Sequence, residues 1–335
     1  MNFRVCVLTV TYGNRFHLVK QVVERVLEEG VTHCLIVDNA SVTESATRLQ
    51  EMVQKDHRLS LLSLKENRGS AGGYKAGLEK IVKEISCDYI LFLDDDNLPP
   101  KGFLEKLRGI TLYLHDFPSP YALICYRPIF PISTEYILEG CDFSYKYNAF
   151  ASNNLLKNFL KKTRKVLRFF VPKQPSAVSQ SSFSPLRRID MAPYGGFFIS
   201  RDSLSLIGYP REDFIVYLDD LEYTYRLTAQ GGYIFLCSEI PIQDLDSSHD
   251  TKSKTYWILQ PDLSEFKLYY YLRNAIYWYS HTFKTNSFLY TINMFLWFLR
   301  LFLSGICHPL MLFRRLPLIL RAIRDGQQGH LGKTF

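Results

Sequence analysis

The chain contains no Cys-x-x-Cys pair: its seven cysteines, at 6, 34, 87, 125, 141, 237 and 307, are scattered and odd in number. That pattern excludes a zinc ribbon and a disulfide framework, and fits reduced thiols in a cytosolic setting. Acidic residues are missing between Asp142 and Asp190, where Lys161, Lys162, Arg164, Lys165 and Arg168 fall. The excess behind the formal charge of +7 is therefore local, a patch able to meet nucleic acid, anionic lipid or an anionic substrate, or simply a solvated loop. Glycine-rich as it is, Asn67-Arg68-Gly69-Ser70-Ala71-Gly72-Gly73 lacks the Gly-Lys-Ser/Thr ending of a P-loop and the Gly-x-Gly-x-x-Gly spacing of a dinucleotide fingerprint. Near the end of the chain, Arg300, Gly305 and Pro309 interrupt the apolar residues 287–313, so no unbroken run reaches the roughly 20 residues of a membrane span. A monotopic membrane contact, a buried helical hairpin or an oligomer contact is expected there instead. The N-terminal MNFRVCVLTVTYGN has no cleavage-type site and reads as a first strand.

What is present is the composition of a folded globular protein, 47% hydrophobic and 22% charged over 335 residues. Strand-like stretches at Arg4–Thr11, His33–Val37, Leu59–Leu64 and Tyr89–Leu93 alternate with helical spacing at Phe16–Glu29, Thr43–Gln54 and Ala71–Ile85. This alternation predicts an α/β fold with a mostly parallel sheet flanked by helices. A further strand is expected at Tyr121–Ile129, and an amphipathic helix in the basic insert at Asn154–Phe170. A Ser/Gln/Pro-rich loop follows at 174–186, then regular structure from Tyr194. Residues 1–255 are expected to form the main domain, with a basic insert at about 143–189, and 256–335 a helical C-terminal region.

The densest chemistry lies at Asp94-Asp95-Asp96, closing the apolar run Tyr89–Leu93. Carboxylates at the carboxyl end of a strand sit where open α/β sheets bind ligands. Hard oxygen donors suit Mg²⁺ or Mn²⁺, and strand alternation would turn Asp94 and Asp96 toward one ion while Asp95 faces elsewhere. Two neighbouring strands end in Thr9-Val10-Thr11-Tyr12-Gly13-Asn14 and Val37-Asp38-Asn39-Ala40-Ser41, where a base could rest and Asp38 could accept a hydrogen bond from it or from a ribose. The glycines at 69–73 would permit a close phosphate at a helix N-terminus. Downstream, Asp219 and Glu222 have Asp-x-x-Glu spacing, which predicts a capping box and leaves Asp220 over as a general base. His249, in Ser247-Ser248-His249-Asp250, offers an imidazole to a divalent ion.

In this order, VTYGNR, LIVDNAS, ENRGSAGGYKAG, ILFLDDDN, YGGFFISR and FIVYLDDLEYTYRL resemble the family 2 glycosyltransferases, which are inverting, nucleotide-sugar-dependent enzymes of the GT-A fold. YYYLRNAIYWY and RAIRDGQQGHLGK look typical of the bacterial rhamnosyltransferase and galactofuranosyltransferase branch. The resemblance implies a UDP- or dTDP-linked donor and a glycan or lipid-linked glycan acceptor of the bacterial cell surface, with no nucleic-acid partner. It implies that Asp38 holds the base while Thr11, Tyr12, Arg68 and Gly72 lie near the nucleotide. Asp94 and Asp96 would grip Mn²⁺ or Mg²⁺ on the diphosphate, with His249 as third ligand and Asp95 near the donor ribose. Asp220 would take the acceptor proton, and Tyr194, Gly195, Gly196, Asp219 and Glu222 would line the acceptor side. The implied setting is cytoplasmic, peripheral on an anionic membrane surface. Clustered aspartates would equally serve a metal-dependent nucleotidyl or phosphoryl transferase, and a non-catalytic sugar-nucleotide-binding scaffold is the third alternative.

Overall fold

The computed structural model describes residues 3–128, 186–246, 257–284 and 286–335. The expected third metal ligand His249, the helix at 154–170 and most of the basic insert lie outside the described residues. Two compact units emerge, one built from the described residues up to 128 with 186–246 and Gly332–Thr334, the other from 257–331 with Phe335.

The first unit is an α/β sandwich. Strands β1 (Val5–Thr11), β2 (His33–Asp38), β3 (Leu59–Ser63) and β4 (Tyr89–Asp94) pair in parallel, and their sheet continues through β8 (Phe197–Ser200), β6 (Tyr121–Tyr126), β9 (Tyr233–Pro241) and β7 (Leu186–Ile189) in the order β3-β2-β1-β4-β8-β6-β9-β7. Strand β8 is antiparallel to both β4 and β6. The sheet is thus parallel in its first half and mixed in its second. Helices α1 (Phe16–Glu28), α2 (Thr43–Val53), α3 (Gly69–Glu84) and α4 (Phe103–Tyr113) form where apolar residues recur at helical spacing. On α1, Leu18, Val19, Val22, Val23 and Val26 form the buried stripe. The crossovers cover both faces of the sheet, so Ile90, Leu91, Phe92 and Leu93 of β4 are completely buried. A run of four apolar residues, rather than alternation, is the sequence mark of such a strand.

Register sets the geometry of the site. Thr11 pairs with Asp38 across β1 and β2, and Val10 pairs with Asp94 across β1 and β4. Three sequence-distant polar ends therefore reach one edge. Beyond it, the short strand β5 (Asn97–Leu98) pairs antiparallel with β10 (Gln243–Asp244). Strand β8 begins at Phe197 rather than at the expected Tyr194, because Gly196 has φ of +92° and ends the extended backbone. Helices α5 (Arg201–Ile207) and α6 (Asp219–Ala229) complete the unit.

The second unit holds α7 (Glu265–Thr282), α8 (Ser287–Gly305) and α9 (Pro309–Gln328). Ser264 and Asn286 cap α7 and α8 through their side chains, and Pro309 opens α9. Helices α7 and α9 approach closely at Gly326, where a Cβ would lie 2.6 Å from the Arg273 carbonyl oxygen. Beside this crossing the Tyr269 hydroxyl donates to Asp325 at 2.7 Å, and the buried Arg273 lies over the Tyr270 ring. The tyrosine-rich segment is therefore helix core.

Candidate functional site

The carboxyl edge carries two lattices of carboxylates and arginines. Strand β4 ends at Asp94, and Asp95-Asp96 form the turn that follows, so strand alternation does not govern which way Asp96 faces. Asp95 is buried and accepts the Thr11 hydroxyl at 2.7 Å and the Arg15 guanidinium at 2.9 Å. Arg15 also reaches Asp96 at 3.1 Å and Asp246 at 2.8 Å. A second guanidinium, on Arg127 just past β6, contacts Asp94 at 3.2 Å and Asp244 at 2.5 Å. Asn97 ties the two together, its side-chain oxygen accepting the Asp94 N–H at 3.1 Å and its amide donating to Asp244 at 2.8 Å.

Five carboxylates thus share two guanidinium groups, and the shortfall appears as raised pKa. Asp96 is pushed up to about 7, first by burial and then by the charges of Asp94 and Asp95. For Asp95, burial outweighs Arg15 and holds its pKa above the ordinary carboxylate value. Arg127, Asp244 and Asp246 belong to no motif, and Arg15 closes VTYGNR with no role assigned to it there. The signal available for them was the need of adjacent aspartates for positive charge, which names no residue in the sequence.

Asp38 is buried and accepts the Ser41 N–H at 2.8 Å, while its own carbonyl takes the Leu64 N–H. The Ser41 hydroxyl is shielded from solvent without a hydrogen-bond partner among the described residues, an open polar group beside Asp38. Asn39 organises the adjoining turn, bonding the Asn67 side chain, the Gly69 carbonyl and the Arg68 N–H. The exposed Arg68 guanidinium has no ion pair among the described residues, and the ring of Tyr12, half exposed, lies under Arg15 at 5.5 Å.

The glycines of this region mostly serve packing. A Cβ on Gly69, which has φ of +71°, would fall 1.9 Å from the Ile215 carbonyl oxygen. On Gly73 it would meet Val10 and on Gly77 Leu8, and on Gly72 it would meet the Arg68 side chain. Helix α3 therefore lies against β1 at glycine distance, and the 69–73 run also admits the backbone of Ile215. That backbone belongs to a strained loop: Ile215, Tyr217 and Leu218 all have φ between +64° and +66°.

The strained loop delivers Asp219 and Asp220 to the start of α6. The expected capping box does not form, because Leu218 occupies the cap position in a left-handed conformation and Asp219 and Glu222 are themselves helical. Glu222 pairs instead with Arg226, one turn on, at 2.6 Å. Asp219 is buried, accepts the Ser70 hydroxyl at 2.8 Å, and has its pKa held well above the usual carboxylate range by burial and by Asp220. Half-buried Asp220 accepts the Leu221 N–H at 2.8 Å. Its pKa is pushed up to about 7 by burial, with Asp94 raising it and Arg127 lowering it. Those two influences put Asp220 in the same electrostatic field as the β4 carboxylates. Tyr194 is buried against Tyr74 and Phe92, and feels the charges of Asp219 and Asp220. Tyr74 in turn donates its hydroxyl to Asp94 at 3.0 Å. Gly195 completes the junction: a Cβ there would come within 2.0 Å of Asn97 Oδ1, 2.7 Å of Arg127 Nη1 and 2.9 Å of Asp94 Oδ2.

Of the expected residues, Thr11, Asp38, Asp94, Asp95, Asp96, Tyr194, Gly195, Asp219 and Asp220 come together around this edge. Glu222 is engaged by Arg226. Among the described residues no three carboxylate, thiol or imidazole groups form a ready-made metal cage. Asp94 and Asp96 bring to this edge the hard carboxylate oxygens that Mg²⁺ or Mn²⁺ takes, engaged here by Tyr74 and Arg127 on Asp94 and by Asn97 and Arg15 on Asp96.

Residues 6–109 match the profile of the glycosyl transferase family 2. An uncharacterized glycosyltransferase of Haemophilus influenzae is 30% identical over 99 residues, covering 27% of this chain and 38% of that relative's length. Among solved structures, GalNAc-T7 with UDP, GalNAc and Mn²⁺ superimposes with a TM-score of 0.52 at 10% identity, over 81% of this chain and 47% of that one. The mannosyltransferase PcManGT from Pyrobaculum calidifontis, in complex with GDP-Man and Mn²⁺, gives 0.51 at 14% identity, over 98% and 76% of the two chains. These likenesses establish the fold as α/β and GT-A-like. The family match ends before Arg127, Tyr194 and Asp220, so the second half of the site rests on its geometry.

Proposed function

We propose that the chain is an inverting glycosyltransferase that moves a sugar from a nucleotide-sugar donor to a growing bacterial surface glycan. The observation that carries this reading is the convergence of Asp94 at the end of β4 with Asp220 at the start of α6, two carboxylates in one electrostatic field but on separate elements. The family 2 match over residues 6–109 and the donor complexes of the structural relatives support it.

In this reading the base rests against Asp38, Thr11 and the open Ser41 hydroxyl, with Tyr12, Arg68 and Gly72 at its margin. Asp94 and Asp96, with His249, are the residues that would hold Mn²⁺ or Mg²⁺ beside the diphosphate. When bound, that ion supplies Lewis-acid stabilisation to the departing nucleoside diphosphate. Arg15 and Arg127 bridge the surrounding carboxylates and hold them in place. Asp220, with a pKa near neutrality, accepts the proton of the acceptor hydroxyl as it attacks the anomeric carbon from the face opposite the leaving group. Asp219, held by Ser70, fixes the first turn of α6 beneath it. Tyr194, Gly195 and Gly196 line the acceptor side.

Galactofuranose from UDP or rhamnose from dTDP is the favoured donor, and a lipid-linked glycan the acceptor. The six described cysteines are all free, which supports a reducing, cytoplasmic setting. A panel of UDP-, dTDP- and GDP-linked sugars, incubated with the protein and Mn²⁺ or Mg²⁺, tests the proposal. Release of the nucleoside diphosphate from one donor supports it; release from none contradicts it.

A further inference from the structure

We infer that the outer faces of α8 and α9 form a docking surface for an anionic lipid bilayer, lying along the bilayer rather than through it. On α8 and its cap residue, Phe288, Phe295, Phe302 and Ile306 recur at spacings of seven, seven and four, which an α-helix brings to one side. They are 72%, 66%, 46% and 71% exposed. The opposite side of α8 is buried at Tyr290, Asn293, Leu301 and Gly305. The pattern continues on α9, where Leu310 and Phe313 are 87% and 70% exposed while Leu312, Arg315 and Ile319 turn inward. The two helices meet at Gly305, where a Cβ would fall 2.5 Å from the Leu312 side chain. Each helix therefore packs on one side and presents large apolar and aromatic groups on the other. An exposed apolar surface of this extent marks an interaction site in a soluble unit.

Charge decides the occupant. From Phe266 to Arg324 the sequence has no Asp or Glu, yet it holds eight Lys or Arg. Two of these, Arg273 and Arg315, are buried; Lys267, Lys284, Arg300, Arg314, Arg321 and Arg324 are exposed, with Arg314 paired to Glu265 and Arg321 and Arg324 sharing Asp325, so the cations still outnumber the acids beside them. On α9 the exposed side changes along its length from Leu310 and Phe313 to Arg321 and Arg324. Apolar side chains beside cations on one helical surface match the boundary between acyl chains and anionic headgroups. A helix of 19 residues such as α8 is also long and apolar enough to cross a membrane by length and composition, spanning about 28 Å at 1.5 Å per residue. The polar Asn293 on its packed side, the exposed Arg300 and the continuation of the apolar stripe onto α9 favour the surface position.

The inference stands apart from the reading of the catalytic edge, since vesicle binding is measured without any sugar donor. Purified full-length protein is sedimented with phosphatidylcholine vesicles that contain or lack phosphatidylglycerol. Binding is expected to the anionic vesicles at least about tenfold more tightly than to the neutral ones, and to weaken as salt rises. The double variant Phe295→Asp/Phe313→Asp should lose about tenfold or more of the partitioning with its helical circular dichroism unchanged. Arg300→Gln/Arg324→Gln, which leaves the apolar stripe intact, should reduce the preference for anionic lipid. Absence of binding to anionic vesicles would overturn the inference, as would a stable dimer by light scattering that covers this face and ignores vesicles. Retention of the protein in cell membranes after alkaline carbonate would make α8 a span and also overturn it.

Discussion

Ser70 donates its hydroxyl to the Asp219 carboxylate across 2.8 Å, and this bond separates the roles of two adjacent aspartates. Asp219 is engaged from α3 and buried; Asp220 accepts the Leu221 N–H and faces the field of Asp94. Asp220→Asn keeps the shape and removes the basic oxygen. It should lower kcat by about 10²–10⁴-fold while donor affinity stays within about twofold. Steady-state kinetics beside donor titration by calorimetry checks this. Equal activity in Asp220→Asn would move the base elsewhere.

The pH dependence follows from the same group. A general base works ionised, so activity should fall as pH drops through Asp220's pKa of about 7. Stability should run the other way in metal-free protein. Asp96 and Asp220 have folded pKa values of about 7, above their unfolded values, so the native state binds more protons than the unfolded chain between these limits. Stability is then gained as pH falls through about 7 and lost as pH rises through it. Thermal melts in chelator across this range should show a higher Tm on the acid side, and Mn²⁺ should reduce the difference.

Arg15 bonds Asp95, Asp96 and Asp246 from a largely buried position. Arg15→Ala leaves Asp95 buried without its cation, a change of a kind that costs about 3–5 kcal/mol. Chemical denaturation should reveal a loss of that order at neutral pH, partly restored at low pH where Asp95 is protonated. A loss independent of pH would show that packing, not charge, was removed.

Gly195 and Gly69 should fail differently on addition of one methyl group. At Gly195 the new Cβ strikes Asn97, whose side-chain oxygen fixes the Asp94 backbone, so Gly195→Ala should cut kcat by about 10²-fold by misplacing Asp94. At Gly69 it strikes the Ile215 carbonyl and also meets a positive φ, so Gly69→Ala should destabilise by about 1–3 kcal/mol and disturb the loop before Asp219. Parallel melting curves and kinetics separate the two outcomes.

Much of this architecture is legible in the sequence, for physical reasons. Buried parallel strands write themselves as short apolar runs, so Tyr89–Leu93 announces β4 to within one residue. The polar residues at the ends of such strands share an edge by register alone, which is why Thr11, Asp38 and Asp94 were foreseeable together. Arg15 and Arg127 were not, because an arginine's partner is fixed by tertiary approach and not by local pattern. The same holds for Ser70 and Asp219, which lie 149 residues apart. The glycines at 69–73 mark close backbone approach, as any such run does, but sequence cannot say whether a phosphate or Ile215 comes near. The capping-box spacing at Asp219–Glu222 failed because a left-handed Leu218 starts α6, leaving Asp219 to the distant Ser70 and Glu222 to Arg226 one turn on.

The account stands most directly on one measurement: mass-spectrometric detection of donor consumption across a nucleotide-sugar panel, with acceptor glycan and Mn²⁺, for the native protein and Asp220→Asn. It predicts glycosyl transfer from a single donor class by the native protein and transfer about 10²–10⁴-fold slower by the variant. No consumption of any donor by the native protein, or equal transfer by Asp220→Asn, would contradict it.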